Sequence, residues 1–242
     1  KSSIVDNFKT IFYALIIAIF IRSLLIQPFY IPSSSMEPNL LVGDRLFVTK
    51  YSYGYSRHSF PFSPKISDKR FLTRNPVVGD VIVFKTPSDN RTDYIKRLIG
   101  KPNDTIQFIN GEIFINDIKI NRVPIKKPKT INCGSLKPEV KAYEETLPNG
   151  RKYIAVYNKE GTLMNSNKFI VPANHYFFMG DNRDCSKDSR FLSSVGYVHV
   201  NNIVGKAQII FFSTDKTKGN IFYIWKLNDI IRLERLFKSI ND

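Results

Sequence analysis

One segment constrains this chain before any other: FKTIFYALIIAIFIRSLLI, Phe8 to Ile26, whose only charges are Lys9 and Arg22. At about 1.5 Å per residue, a helix over that run spans roughly 28 Å, close to a bilayer's hydrocarbon core of about 30 Å. Arg22 lies near its C-terminal end, where a long side chain snorkels to the headgroups. A cleavable secretory leader would need a small-x-small site after the run, and QPFYIP offers none. A helix buried in a soluble core is the bland alternative. The run is expected to be an uncleaved transmembrane anchor. Lys1 and Lys9 mark its N-terminal side, whereas Gln27 to Asp44 carries no Lys or Arg. The positive-inside rule then puts the N-terminus in the cytoplasm and the rest outside. The chain starts at Lys1, so an initiator methionine or a short preceding piece is expected to be missing.

After the anchor the pattern becomes β. Asp44–Lys50, Asp80–Lys85, Asp93–Gly100, Asp104–Gly111, Glu112–Asp117 and Lys152–Asn158 are short runs rich in Val, Ile, Phe and Tyr, bounded by Gly, Pro, Asn and Asp. HYFFMG, GYVHV and IVGKAQIIFFS continue the series. QFINGEIFIND reads as a hairpin turning at Asn110-Gly111. No helical period appears between Pro28 and Ser213, so a mostly β fold of antiparallel sheets is expected. The organisation expected is a cytoplasmic stub and anchor over 1–27 and an extracytoplasmic all-β domain over 28–242. Within it, the Lys/Pro-rich residues 122–151 read as an inserted surface excursion, β-rich in part. Tyr51–Ser63 reads as an aromatic arm. In the tail, Ile230, Leu233, Phe237 and Ile240 stand at helical spacing with Arg232, Arg235 and Lys238 between them. That stripe suits a helix packed on its own domain or a basic helix lying on a membrane.

The 242 residues carry a net charge of +15. Such a balance suits an anionic membrane surface, acidic substrates or nucleic acid, or simply a solvated basic surface. Cys133 and Cys185 are far apart, with no CxxC and no His/Cys cluster, so no zinc site is expected and their pairing stays open.

Catalytic chemistry narrows quickly because histidine is scarce. His58, His175 and His199 lack any diagnostic context for a Ser-His-Asp triad. A serine nucleophile then needs another base. Lysine serves if burial among apolar groups brings its pKa down from about 10.4 towards neutrality. Lys96 in YIKRLI is the best candidate, sharing a strand face with Tyr94 and Leu98 while Arg97 points away. Serines stand in a row in IPSSSMEPNL, just past the anchor. A third element, MGDNRDCSKDSR (Met179–Arg190), alternates charge in the manner of an ion-paired turn.

Together these three elements resemble the bacterial type I signal peptidases. The resemblance rests on SxSMxP after the anchor, Tyr-Ile-Lys-Arg in a strand, and Gly-Asp-Asn-Arg-Asp-x-Ser-x-Asp-Ser-Arg, in that order, with VGDRLFV and GDVIVFK also fitting, from about residue 11 to residue 212. It implies a membrane-bound serine–lysine endopeptidase that removes signal peptides from exported preproteins after small-x-small sites, near the export translocon. It further implies Ser35 as nucleophile and neutral Lys96 as general base. Ser33 and the backbone N–H of Ser35 would form the oxyanion hole. Ser186 would orient the lysine, and Asp181, Arg183, Asp188 and Arg190 would hold the site by ion pairing. No cofactor, metal or nucleic acid is implied, and the location would be a bacterial plasma membrane, single-pass, with the catalytic domain on the outer side. Even fully extended, the tether from Ile26 to Ser35 reaches only about 30 Å, which keeps the site close to the bilayer.

The departures from that pattern are Ser34 where Gly is usual, Asn39 where Thr is usual and Cys185 where Asn is frequent. A self-cleaving repressor built on the same dyad would need a helix-turn-helix where this chain has an apolar span. A basic membrane-binding module would leave the order of Ser35, Lys96 and the charged box as coincidence. An organellar member of the same family stays open.

Overall fold

The computed structural model describes residues 2–64, 69–159, 162–215, 217–219 and 227–240. Helix α1 covers Ser2–Phe20 and runs into a π-helical turn, Ile21–Leu25. Together they hold one span, Ile4–Leu25, long and apolar enough to cross a membrane. Its side chains from Ile4 to Phe20 are exposed on every face. That removes the buried-core alternative, since a core helix would cover them.

The helix stops because of Pro28. The residue before a proline is pushed out of the α region, and Ile26 is already extended at φ −134°. Strand β1 therefore begins at Ile26 (Ile26–Tyr30), two residues inside the expected anchor segment. Pro28 is tolerated there because β1 is an edge strand. The junction is tight: Lys50 N–H donates to Leu25 C=O and the Tyr55 hydroxyl to Leu24 C=O.

The strands that follow are β2 (Asp44–Thr49), β3 (Val81–Lys85), β4 (Asp93–Gly100), β5 (Thr105–Ile109), β6 (Glu112–Ile115), β7 (Ile118–Lys119), β8 (Asn121–Ile125), β9 (Val140–Thr146), β10 (Lys152–Asn158), β11 (Phe169–Ile170), β12 (His175–Met179), β13 (Val198–His199), β14 (Ile203–Ser213) and β15 (Lys238–Ser239). The principal sheet runs β1-β2-β14-β3-β4-β12-β13, with β15 added along the later part of β14. Two smaller sheets, β11-β5-β6-β7 and β10-β9-β8, complete a mostly β fold whose strand pairs are antiparallel. The β5–β6 turn is Asn110-Gly111, both residues at positive φ.

β3 explains the core. Its run Val-Ile-Val-Phe is apolar throughout because both faces are covered. Val81 and Val83 join Ile31, Met36, Leu40, Leu46 and Val48 on one side. Ile82 and Phe84 join Tyr53, Leu98 and Phe178 on the other. A third cluster, including Ile99, Phe177, Ile106, Phe108 and Tyr153, fastens the two smaller sheets to the principal one.

Two expectations change. Residues 122–151 are β-rich as expected, holding most of β8 and all of β9, but they are not confined to the surface: β9 buries Glu145 completely. The tail is not an amphipathic helix. Only Leu227–Ile230 is helical, a short turn covers Leu233–Arg235, and β15 follows. Its backbone bonds go sideways, Phe237 N–H to Ile210 C=O and Ile240 N–H to Gln208 C=O. Arg235, expected on the polar face, is instead buried with a two-point pair to Asp44.

Candidate active site

The loop after β1 is pinned at both ends, by Ile31 N–H to Asp44 C=O and Gly43 N–H to Ile31 C=O. Met36 and Leu40 are its apolar roots in the core. Between those anchors Ser33 stays exposed while Ser34 and Ser35 are buried. Asn182 fixes the backbone here: its N–H donates to Ser35 C=O at 3.1 Å and its side-chain amide to Ser34 C=O at 3.1 Å.

From β4, Lys96 Nζ donates to Ser35 Oγ at 2.6 Å and to Ile95 C=O at 3.1 Å. Ser33 Oγ lies 3.4 Å from Ser35 Oγ. Lys96 is 4% exposed. Burial lowers its pKa to about 8; the Asp188 and Asp181 carboxylates push back, and Arg190 adds to the depression. A lysine near pH 8 exchanges a proton with an adjacent hydroxyl far more readily than one in water. The pair can therefore do acyl-transfer chemistry without histidine or metal.

The charged box gathers around this pair. Asp181 takes a two-point bond from Arg97, at 2.8 and 2.7 Å, and a third from Asn39 Nδ2 at 2.7 Å. Asp188 accepts from Ser186 Oγ, Gly180 N–H and the Arg190 guanidinium. Burial alone would raise the Asp188 pKa, but Arg190 and these hydrogen bonds hold it below the usual carboxylate range. Arg183 forks onto Glu145 and also meets the hydroxyls of Tyr153 and Tyr157, all buried. Ser186 spends its hydroxyl on Asp188 rather than on Lys96.

Several contributors were invisible in the sequence. Glu145 looked no different from its neighbour Glu144. Asn39, a mere departure from the family pattern, also ties the loop to Ile154 C=O. Glu37 is buried and accepts from Asn132. Cys133 and Cys185 form a disulfide, linking the excursion to the charged box. Gly180 had a signal, its place at the head of that box. A Cβ there would come within 2.2 Å of Ser186 Oγ and 2.5 Å of Ser35 O, so only glycine fits.

A cleft of about 610 Å³ opens over the pair, walled by Phe29–Ser33 on one side and Thr92–Lys96 on the other. Residues 4–212 match the family model described as signal peptidase, peptidase S26. The chain belongs to that family. The signal peptidase I of Rickettsia typhi is 40% identical over 258 residues, covering 99% of this chain and 95% of the relative. That of Rickettsia bellii is 40% identical over 255 residues, covering 97% and 85%. A solved signal peptidase I from Enterococcus faecalis is 23% identical with a TM-score of 0.32, covering 55% of this chain and 97% of its own.

Proposed function

We propose that this member of the signal peptidase family is a serine endopeptidase that cuts signal peptides from exported preproteins, with Ser35 as nucleophile and neutral Lys96 as general base. The observation that carries the reading is the 2.6 Å approach of Lys96 Nζ to Ser35 Oγ with the lysine buried. In the reactive state Lys96 is neutral, and the hydrogen bond runs from the hydroxyl to the amine. Ser35 Oγ attacks the scissile carbonyl as Lys96 takes its proton. The resulting oxyanion is met by the Ser33 hydroxyl and the Ser35 N–H. Lys96 returns the proton to the leaving amine, which departs as the new N-terminus. Water then attacks the acyl-enzyme, again giving its proton to Lys96, and Ser35 is restored.

The cleft supports an extended substrate segment between its two walls. Small residues are the expected choice one and three places before the cut, in keeping with secretory signals. The Ile4–Leu25 span anchors the chain, single-pass, in a bacterial plasma membrane with the β domain outside, close to the export translocon. Substrate and enzyme then share the bilayer, and no nucleic acid or cofactor is needed.

The test is cleavage of a model preprotein in detergent by wild type, Ser35→Ala, Lys96→Ala, Ser33→Ala and Ser34→Ala. The first two should lose all turnover while melting as folded proteins. Ser33→Ala should lose about 10²–10³ in rate, and Ser34→Ala much less. An active Ser35→Ala beside an inactive Ser34→Ala would refute the nucleophile assignment.

A further inference from the structure

A second pocket, of about 420 Å³, adjoins the cleft where the apolar span meets the β domain. Arg22 enters it from the last turn of the span, Lys50 from the end of β2, and Lys85 and Arg91 from either end of the β3–β4 turn. Among the described residues Asp93 is the one carboxylate lining it, and Lys85 pairs with it at 2.9 Å. Those two charges cancel, which leaves Arg22, Lys50 and Arg91. Neither the Arg22 nor the Arg91 guanidinium has a partner among the described residues. Lys50 is 2% exposed and spends one of its three N–H bonds on Ser59 C=O. Burial, and then the Arg22 charge, lowers its pKa to about 8. His58, also on the wall, is held neutral by burial and by Arg57. Of the three, Lys50 is buried and gains most from an anion beside it, while Arg22 and Arg91 are exposed and reach the same cavity from its rim.

The height and the rim say which anion. Arg22 belongs to the last turn of the membrane-crossing span, so the pocket lies at headgroup level. Phe60, Pro61 and Phe62 form its lip, and the Phe62 ring is fully exposed. An aromatic lip beside a basic pocket is the pattern of an interface that meets acyl chain and phosphate together. We propose that this pocket binds the phosphate headgroup of an anionic phospholipid, with Arg22, Lys50 and Arg91 as donors and Phe62 against the acyl region. The site rests on the anchoring of the Ile4–Leu25 span proposed above.

The experiment uses the full chain in detergent micelles, with native mass spectrometry reading retained phosphatidylglycerol against phosphatidylcholine. Wild type should retain phosphatidylglycerol in preference. Arg22→Gln/Arg91→Gln, which alters two exposed side chains, should melt as wild type yet lose about tenfold or more in that affinity. Lys126→Gln/Lys127→Gln removes the same charge from the excursion and should bind as wild type does. Equal loss in that control would overturn the site in favour of diffuse surface charge. Displacement of the lipid by inorganic phosphate at equal concentration would show a site for free anions instead. If the arginine variant kept its lipid but lost preprotein cleavage in phosphatidylcholine micelles, the pocket would belong to the substrate. Flotation with phosphatidylcholine vesicles reads the anchor separately. A chain that floats but shows no lipid preference sinks the pocket alone, and one that does not float sinks the anchor on which it rests.

Discussion

Glu145 on β9 and Arg183 in the charged box form a two-point ion pair, at 3.1 and 2.7 Å, with both side chains almost wholly out of water. The hydroxyls of Tyr153 and Tyr157 complete the set. Glu145→Ala should therefore strand a buried guanidinium and cost about 3–5 kcal/mol. Urea melts of the folded chain measure it, and a variant that melts within experimental error of wild type would show that β9 does not support the box.

Activity should rise with pH through about 8, the depressed pKa of Lys96. Below it, the neutral base should become about tenfold scarcer per pH unit. The measurement is kcat/KM on a preprotein from about pH 6 to 9.5. A flat profile would mean that Lys96 does not accept the proton.

The same depression lowers stability. In the unfolded chain the lysine titrates near 10.5, and in the fold near 8. Folding thus releases a proton between those values, and the stability deficit is full below about 8, fades as pH rises towards the unfolded pKa and is gone above it. The displacement corresponds to something on the order of 3 kcal/mol. Lys96→Met, apolar and of similar length, should be inactive yet at least as stable as wild type near neutrality. Lys96→Arg should be inactive and less stable, since guanidinium keeps its charge when buried. Equal melting of Lys96→Arg and wild type would indicate a solvated lysine.

Gly180→Ala should damage catalysis more than folding. The added methyl meets the Ser35 carbonyl and the Ser186 side chain closer than any real contact, so the Ser35 backbone must move. Misplacement by about 1 Å costs on the order of 10² in rate. Single-turnover cleavage reads the loss directly, and retention of the wild-type rate would show that the loop yields to the methyl without moving Ser35 Oγ.

Much of this was legible in the residues. β4, β10 and β14 occupy the expected runs because each is a stretch of Val, Ile, Phe and Tyr closed by Gly, Asn or Ser. The motif order drew attention to Ser35, Lys96, Asp181 and Asp188 before any contact was visible. What failed was long-range. Helical spacing in the tail could not reveal that Arg235 would find Asp44, 191 residues away, and so bend the chain into β15. Nor could the excursion's composition single out Glu145, whose value depends on Arg183, 38 residues later. Local pattern fixes period and turn, whereas ion pairs across sheets depend on a topology that one chain does not spell out.

The junction at Leu24–Ile26 has a mechanical consequence. With Leu24 and Leu25 carbonyls bonded into the domain and Ile26 already paired with Thr49, there is no hinge between mast and head. With the span anchored as proposed, the site would be carried at one fixed elevation above the lipid and should gauge distance as well as spelling. Preproteins whose cut lies a few residues too near or too far from their apolar stretch should be poor substrates even with ideal flanking residues. Inserting Gly-Ser pairs between Leu25 and Ile26 should broaden the tolerated spacing; an unchanged length preference would show that the ruler lies elsewhere.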